Sequence, residues 1–316
     1  MEYRKIIEFG KSSYVISLPK DWLAQKNLKK GDVLYLDKEH DRLYLYPPEK
    51  HSKPTIKSTL IDITGLDSVQ IKFLLVSRYI NNHNEITIVG KDLASNAPKV
   101  RDIIHDLIAL EIIEETSEKI LTRDFLNMNE IDILEMLKKM DSITREMMRD
   151  SLKSFDQSNS ADIKLRDKDV NRICYLVSRT IRYLQRRPAL AKEKGFTQGE
   201  LLRLWNLTLR VESIADNTKR VASMMQRVKM SDADKKEFLK LFEQVHGFYS
   251  ESIQAYFNRE QNKAVMLRPK ADVLTKKSKD YFRSNWDVDW VPTILEKVKG
   301  IVADTKQITA YLCDQS

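Results

Sequence analysis

The residues best suited to chemistry in this 316-residue chain are a carboxylate pair and a row of arginines. Glu212 and Asp216 stand four positions apart in VESIAD, a spacing that makes two carboxylates neighbours on one face of a helix. Turned into a helical bundle, such oxygens repel unless a hard cation lies between them. They would otherwise pair with Arg210, Lys219 and Arg220 on a solvated face, or form a structural salt-bridge pair inside the bundle, and these arrangements are all open. Arg172, Arg179, Arg182 and Arg186 follow helical spacing, so one face can carry all four, with Arg187 beside them. Such a row suits a phosphate group, a DNA backbone or an acidic partner helix, or is simply an exposed helix face.

Other chemistries find little support. His83, His105 and His246 have neither metal-ligand nor triad spacing. Cys174 and Cys313 lack a close Cys or His partner, which argues against a disulfide framework or thiolate zinc and fits a reducing cytoplasm. Between residues 55 and 120 there is no phosphate-cradling Gly loop and no nucleophile-and-base pair, and no enzymatic constellation stands out elsewhere. The densest apolar run, IKFLLVSRYI, is short and carries Lys72 and Arg78, so no membrane insertion is expected.

The elements that must position these groups are mostly helices. Eight Gly and eight Pro are few for this length, which disfavours a sheet-rich fold. Beyond Met128 apolar residues recur at helical spacing: a first helix carries Ile131 to Leu152, a second runs from about Asp162 to Arg187, where Pro188 stops it, and a third from Gly199 to Met225. Residues 234–258, 262–285 and 292–313 repeat that order, so two three-helix units are expected, 121–230 and 231–316. Residues 54–120 read as a small α/β connector: a strand at LIDIT, a helix over 68–81, a strand at ITIVG, a helix over 96–109, and EIIEETSEKILTR as a last hairpin or strand.

The front, residues 1–53, is different. The segment before Gly10 is β-prone, SYVISL alternates, Pro19 opens the short helix KDWLAQKN, and VLYLD and RLYLYP form a hairpin around Glu39, His40 and Asp41. So few residues bury too little apolar surface to be comfortable alone, and pairing with a second copy would solve that. Eleven Lys and Arg against eight Asp and Glu give this region a net charge of +3, and twenty-two against fifteen give residues 121–230 a net +7. Residues 54–120, with seven against ten, carry −3, so a polyanionic partner would meet selected surfaces only.

Residues 3–47 resemble the AbrB/SpoVT swapped-hairpin family of DNA-binding domains, on RKIIEFGK, LPKDW and LKKGD in that order. The resemblance implies that two chains interleave their strands into one dimeric barrel, and that Arg4, Lys5, Lys11 and Lys20 reach DNA. Lys lacks the bidentate fork of Arg, so Lys11 would contact phosphate as a point charge. Within the first helical unit, RDKDVNR (166–172) and ESIADN (212–217) resemble signatures of the PhoU family of phosphate-uptake regulators, built from a tandem three-helix repeat. That resemblance implies a divalent or iron metal held by Asp167, Glu212 and Asp216. Asn171 and Asn217 depart from the motif, and the second unit reads Arg268 with Asp272 and Gly300 with Asp304.

The expectation is therefore an α+β, mainly α chain: a dimeric β-barrel, a connector and a tandem helical body. An AbrB-like front joined to a PhoU-like body is an archaeal architecture, and it implies a homodimeric, cytoplasmic transcriptional regulator of phosphate uptake. The other reading is an adaptor that ignores DNA and docks on a phosphate transporter or signalling kinase.

Overall fold

The computed structural model describes residues 3–39, 41–47, 56–156 and 158–313. His40 and the expected boundary at 53/54 lie outside the described residues. The chain divides into two compact units, residues 1–55 and 56–316. It is α+β and mainly α.

In the first unit β1 (Ile7–Phe9) and β2 (Ser13–Val15) form an antiparallel hairpin that pairs Ile7 with Val15 and Phe9 with Ser13. Gly10 turns it at φ 72°, a left-handed conformation that costs a residue without Cβ little. Pro19 then opens α1 (Lys20–Gln25), and β3 (Tyr35–Glu39) pairs with β4 (Arg42–Tyr46). Strands β1 and β2 are shorter than the sequence alternation suggests. No residue of this unit whose burial is described is buried.

The second unit begins with a four-stranded sheet in the order β5-β6-β8-β7. Here β5 (Ser58–Asp62) and β6 (Glu85–Val89) are parallel, joined by α2 (Ser68–Ile80). After α3 (Leu93–His105), the hairpin of β7 (Leu110–Glu115) and β8 (Lys119–Asp124) returns antiparallel to β6. Asp67 starts α2 with a capping box closed by Gln70, supplying the acceptor that first-turn amides otherwise lack. Ile61, Ile86, Ile88 and Ile120 bury one sheet face against Ile71, Leu75 and Tyr79 of α2 and Val100 and Ile104 of α3. The α3 expected over 96–109 instead runs from Leu93 to His105, and Ala109, at φ 61°, lies outside it.

A 3-10 turn (Met128–Glu130) leads into the helices α4 (Ile133–Ser151), α5 (Ser160–Gln185), α6 (Pro188–Glu193), α7 (Gln198–Met225), α8 (Asp232–Phe257), α9 (Gln261–Ser284) and α10 (Val291–Cys313). Pro188 does more than stop α5: its fixed φ suits a first helical position, and it opens α6, a helix that periodicity did not reveal. Helices α4, α5 and α7 form one antiparallel trio and α8, α9 and α10 another, joined by α7 on α10 and α4 on α8. One apolar core runs through both, from Leu137 and Val177 through Ile214 to Phe242, Tyr249 and Val298. No described helix is long and apolar enough to cross a membrane.

Candidate functional site

Helix α5 carries the arginine row, and its members meet different fates. Arg179 is fully buried, and both its terminal nitrogens donate to the Asp124 carboxylate at the end of β8, Nη1 at 3.1 Å from Oδ1. Its guanidinium lies over the Tyr79 ring at 4.4 Å, and Asn82 donates to its backbone carbonyl at 3.2 Å. Since β8, Tyr79 and Asn82 belong to the α/β part, Arg179 fastens that part onto the helical body. Arg182 donates to Asn81 Oδ1 at 2.7 Å and lies over Trp205, while Arg186 donates to the Asn81 carbonyl at 3.2 Å. Arg172 lies 3.7 Å from Asp169 on its own helix. The row is therefore largely a docking face for the chain's own connector. Asp124, Asn81 and Asn82 escaped the sequence reading because single polar residues at element ends have no periodic signal.

The acidic cluster is also assembled, with a protein cation at its centre. Lys219 Nζ lies 2.7 Å from Asp167 Oδ2 on α5 and 2.7 Å from Asp216 Oδ1 on α7, and Arg220 takes the other Asp216 oxygen at 2.8 Å. Burial works against a charged lysine here, but the hydrogen bonds to Asp167 and Asp216 hold the Lys219 ammonium above its ordinary pKa. Glu212 makes no such pair: burial, and then the charges of Asp216 and Asp167, push its carboxyl up. These residues do not fit a metal ion while Lys219 bridges them. Among the described residues no group of three or more His, Cys, Asp or Glu is arranged to hold one.

The second helical trio, α8 to α10, repeats this chemistry. Lys306 on α10 reaches Asp272 on α9 at 2.7 Å, again a third-helix lysine on a second-helix aspartate. Asp304 accepts from Arg210 at 2.9 Å and Ser213 at 2.7 Å, both on α7. Asn217 of α7 and Gly300 of α10 meet across the same seam. A Cβ on Gly300 would stand 3.1 Å from Asn217 Nδ2, so the missing side chain lets α7 and α10 approach.

In the first unit Arg4 and Lys5 precede β1, Lys11 sits in the turn between β1 and β2, and Lys20 opens α1; all four are exposed. Large apolar residues beside them are exposed too, Phe9 at 69%, Tyr14 at 72%, Leu36 at 61% and Leu43 at 54%. The two hairpins form separate two-stranded sheets within the chain. Cys174 is buried, which pushes its thiol up to about 12 with the Glu212 charge adding to the effect, whereas Cys313 is exposed.

Residues 9–53 match the family described as "Antidote-toxin recognition MazE, bacterial antitoxin". No curated protein matches the sequence. Among solved structures the chain is similar to the crystal structure of PhoU from Pseudomonas aeruginosa, at 11% identity and a TM-score of 0.40, over 58% of this chain and 91% of that one.

Proposed function

We propose that this chain is a homodimeric, DNA-binding transcriptional regulator whose helical body senses or docks a partner in phosphate homeostasis. The observation that carries the reading is the N-terminal unit: it places its apolar residues on the outside, with none of its described residues buried, and its sequence matches a MazE-type family. Two lone two-stranded hairpins are marginal in water, so a second copy covering Phe9, Tyr14, Leu36 and Leu43 supplies the missing core. The same pairing sets two copies of Arg4, Lys5, Lys11 and Lys20 side by side, a basic surface suited to DNA phosphates. The phosphate part rests on the likeness of residues 166–172 and 212–217 to PhoU signatures. A reducing cytoplasm suits the free Cys174 and Cys313.

The test is binding of the purified protein to its own upstream DNA against unrelated duplex across a salt series, beside an Arg4→Glu/Lys11→Glu variant. Specific binding that weakens steeply with salt and disappears in the variant supports the regulator. No binding at low salt sinks it, and leaves the front as a clasp or as a site for a protein partner of an adaptor.

A further inference from the structure

Where α2 ends against α5, cations gather without carboxylates to balance them. The Asn81 carbonyl accepts from Lys57 Nζ at 3.0 Å and Arg186 Nη1 at 3.2 Å, and its side-chain oxygen accepts from Arg182 Nη1 at 2.7 Å. Arg78, in the last turn of α2, has a buried Nε with no hydrogen-bond partner. None of these four side chains is ion-paired with a carboxylate among the described residues, whereas Arg172 and Arg179 of α5 and Lys219 and Arg220 of α7 are. The carbonyl end of α2 supplies about half a negative charge at most, well short of four positive ones.

The cations feel one another. Burial, and then the charges of Arg186 and Arg78, hold the Lys57 ammonium below its ordinary pKa. The His83 imidazole, whose Nδ1 lies 3.0 Å from the Arg78 carbonyl oxygen, is pushed down by burial and by the same neighbours. A shallow depression lined by Arg182, Gln185, Arg186, Leu202 and Trp205 opens beside the cluster. Arg182 and Arg186 are held in place by Asn81, so little side-chain freedom remains to be lost on binding.

We propose that Lys57, Arg78, Arg182 and Arg186 form a binding site for a small, multiply charged oxyanion, a phosphate-type group free or carried on a nucleotide. Guanidinium forks suit tetrahedral oxyanions, and at least two negative charges are needed to offset the surplus. Lys57 and Arg78 come from the α/β part and Arg182 and Arg186 from the helical body, so the anion bridges the two and tightens their contact. The site stands independently of DNA binding, because it uses none of the N-terminal cations.

The experiment is calorimetric titration of the full-length protein, without DNA and at constant ionic strength, with inorganic phosphate, pyrophosphate and adenosine triphosphate, and with chloride as the control. Saturable binding of one anion per chain is expected, weakened about tenfold or more by Lys57→Gln/Arg186→Gln. Both residues are exposed, and circular dichroism checks that this variant stays folded. Arg172→Gln, on the same helix but paired with Asp169, should bind as wild type does. Phosphate or pyrophosphate binding marks a free oxyanion; binding of the nucleotide alone marks a carried one. No saturable binding of any of the three overturns the proposal, as does binding that survives the double variant or falls equally in Arg172→Gln.

Discussion

Replacing Asp124 by Asn removes one charge from a pair that water does not reach: the Arg179 side chain is 0% and the Asp124 side chain 2% exposed. The remaining guanidinium would then sit buried and uncompensated beneath Tyr79, where the aromatic face offsets only part of the loss. Breaking a buried pair by removing one partner costs about 3–5 kcal/mol. Asn keeps an oxygen that can accept from Arg179 or from the Leu126 amide, which bonds Asp124 Oδ1 at 3.1 Å, so the lower end is expected, about 3 kcal/mol. For a unit of this size each kcal/mol shifts the melting temperature by about 2–4 °C, so a fall of roughly 6–12 °C should appear in a thermal melt. Arg179→Met alone should do similar damage by stranding the carboxylate. The double variant Asp124→Leu/Arg179→Met leaves neither charge and should lose less than the two single losses summed, by about 2 kcal/mol or more. Amide exchange should localise the effect to residues 56–127 and the facing turns of α5. A single-variant shift under about 2 °C, or strictly additive losses, would refute the claim that this pair fastens the two parts.

Further expectations follow from the helical seams. Glu212→Gln should melt above wild type at neutral pH. Its folded pKa lies above the unfolded value, so ionisation costs stability as pH rises through that range; the advantage should therefore vanish below about pH 4. Lys219→Met strands buried Asp167 beside Asp216 and should cost about 1–3 kcal/mol in urea unfolding; Mg2+ or Mn2+ should stabilise this variant and leave wild type unmoved, and a wild-type shift would restore the metal reading. Gly300→Leu should wedge α7 from α10, losing about 1–3 kcal/mol, with a lower melting temperature as the measure.

Element types were legible because periodicity reports them directly. The third helix expected over 199–225 is α7 at Gln198–Met225, and the repeats expected over 234–258, 262–285 and 292–313 are α8, α9 and α10 within a few residues. Ends were less legible: α3 runs over Leu93–His105 rather than 96–109, and the left-handed conformation of Ala109, inside the expected range, is one its residue type does not announce. The candidate site was read in part. Arg179, Arg182 and Arg186 of α5 meet the end of α2, and Arg179 also the end of β8, but spacing cannot tell an exposed row from one covered by elements that lie earlier in the chain. Asp167 of α5 and Asp216 of α7 meet on Lys219, a residue whose sequence position read equally well as a surface pair.

The sequence by itself determined the mainly helical body, the short β-rich front and the positions of its charges, since these depend on local propensity and on the period of apolar residues. Only the tertiary structure decided which charges are used internally. Asp124 meets Arg179 across 55 residues of chain and Asn81 meets Arg182 across 101. A charge becomes a fastener, a cap or a free ligand according to what folds against it, and that partner is chosen by the packing of whole elements.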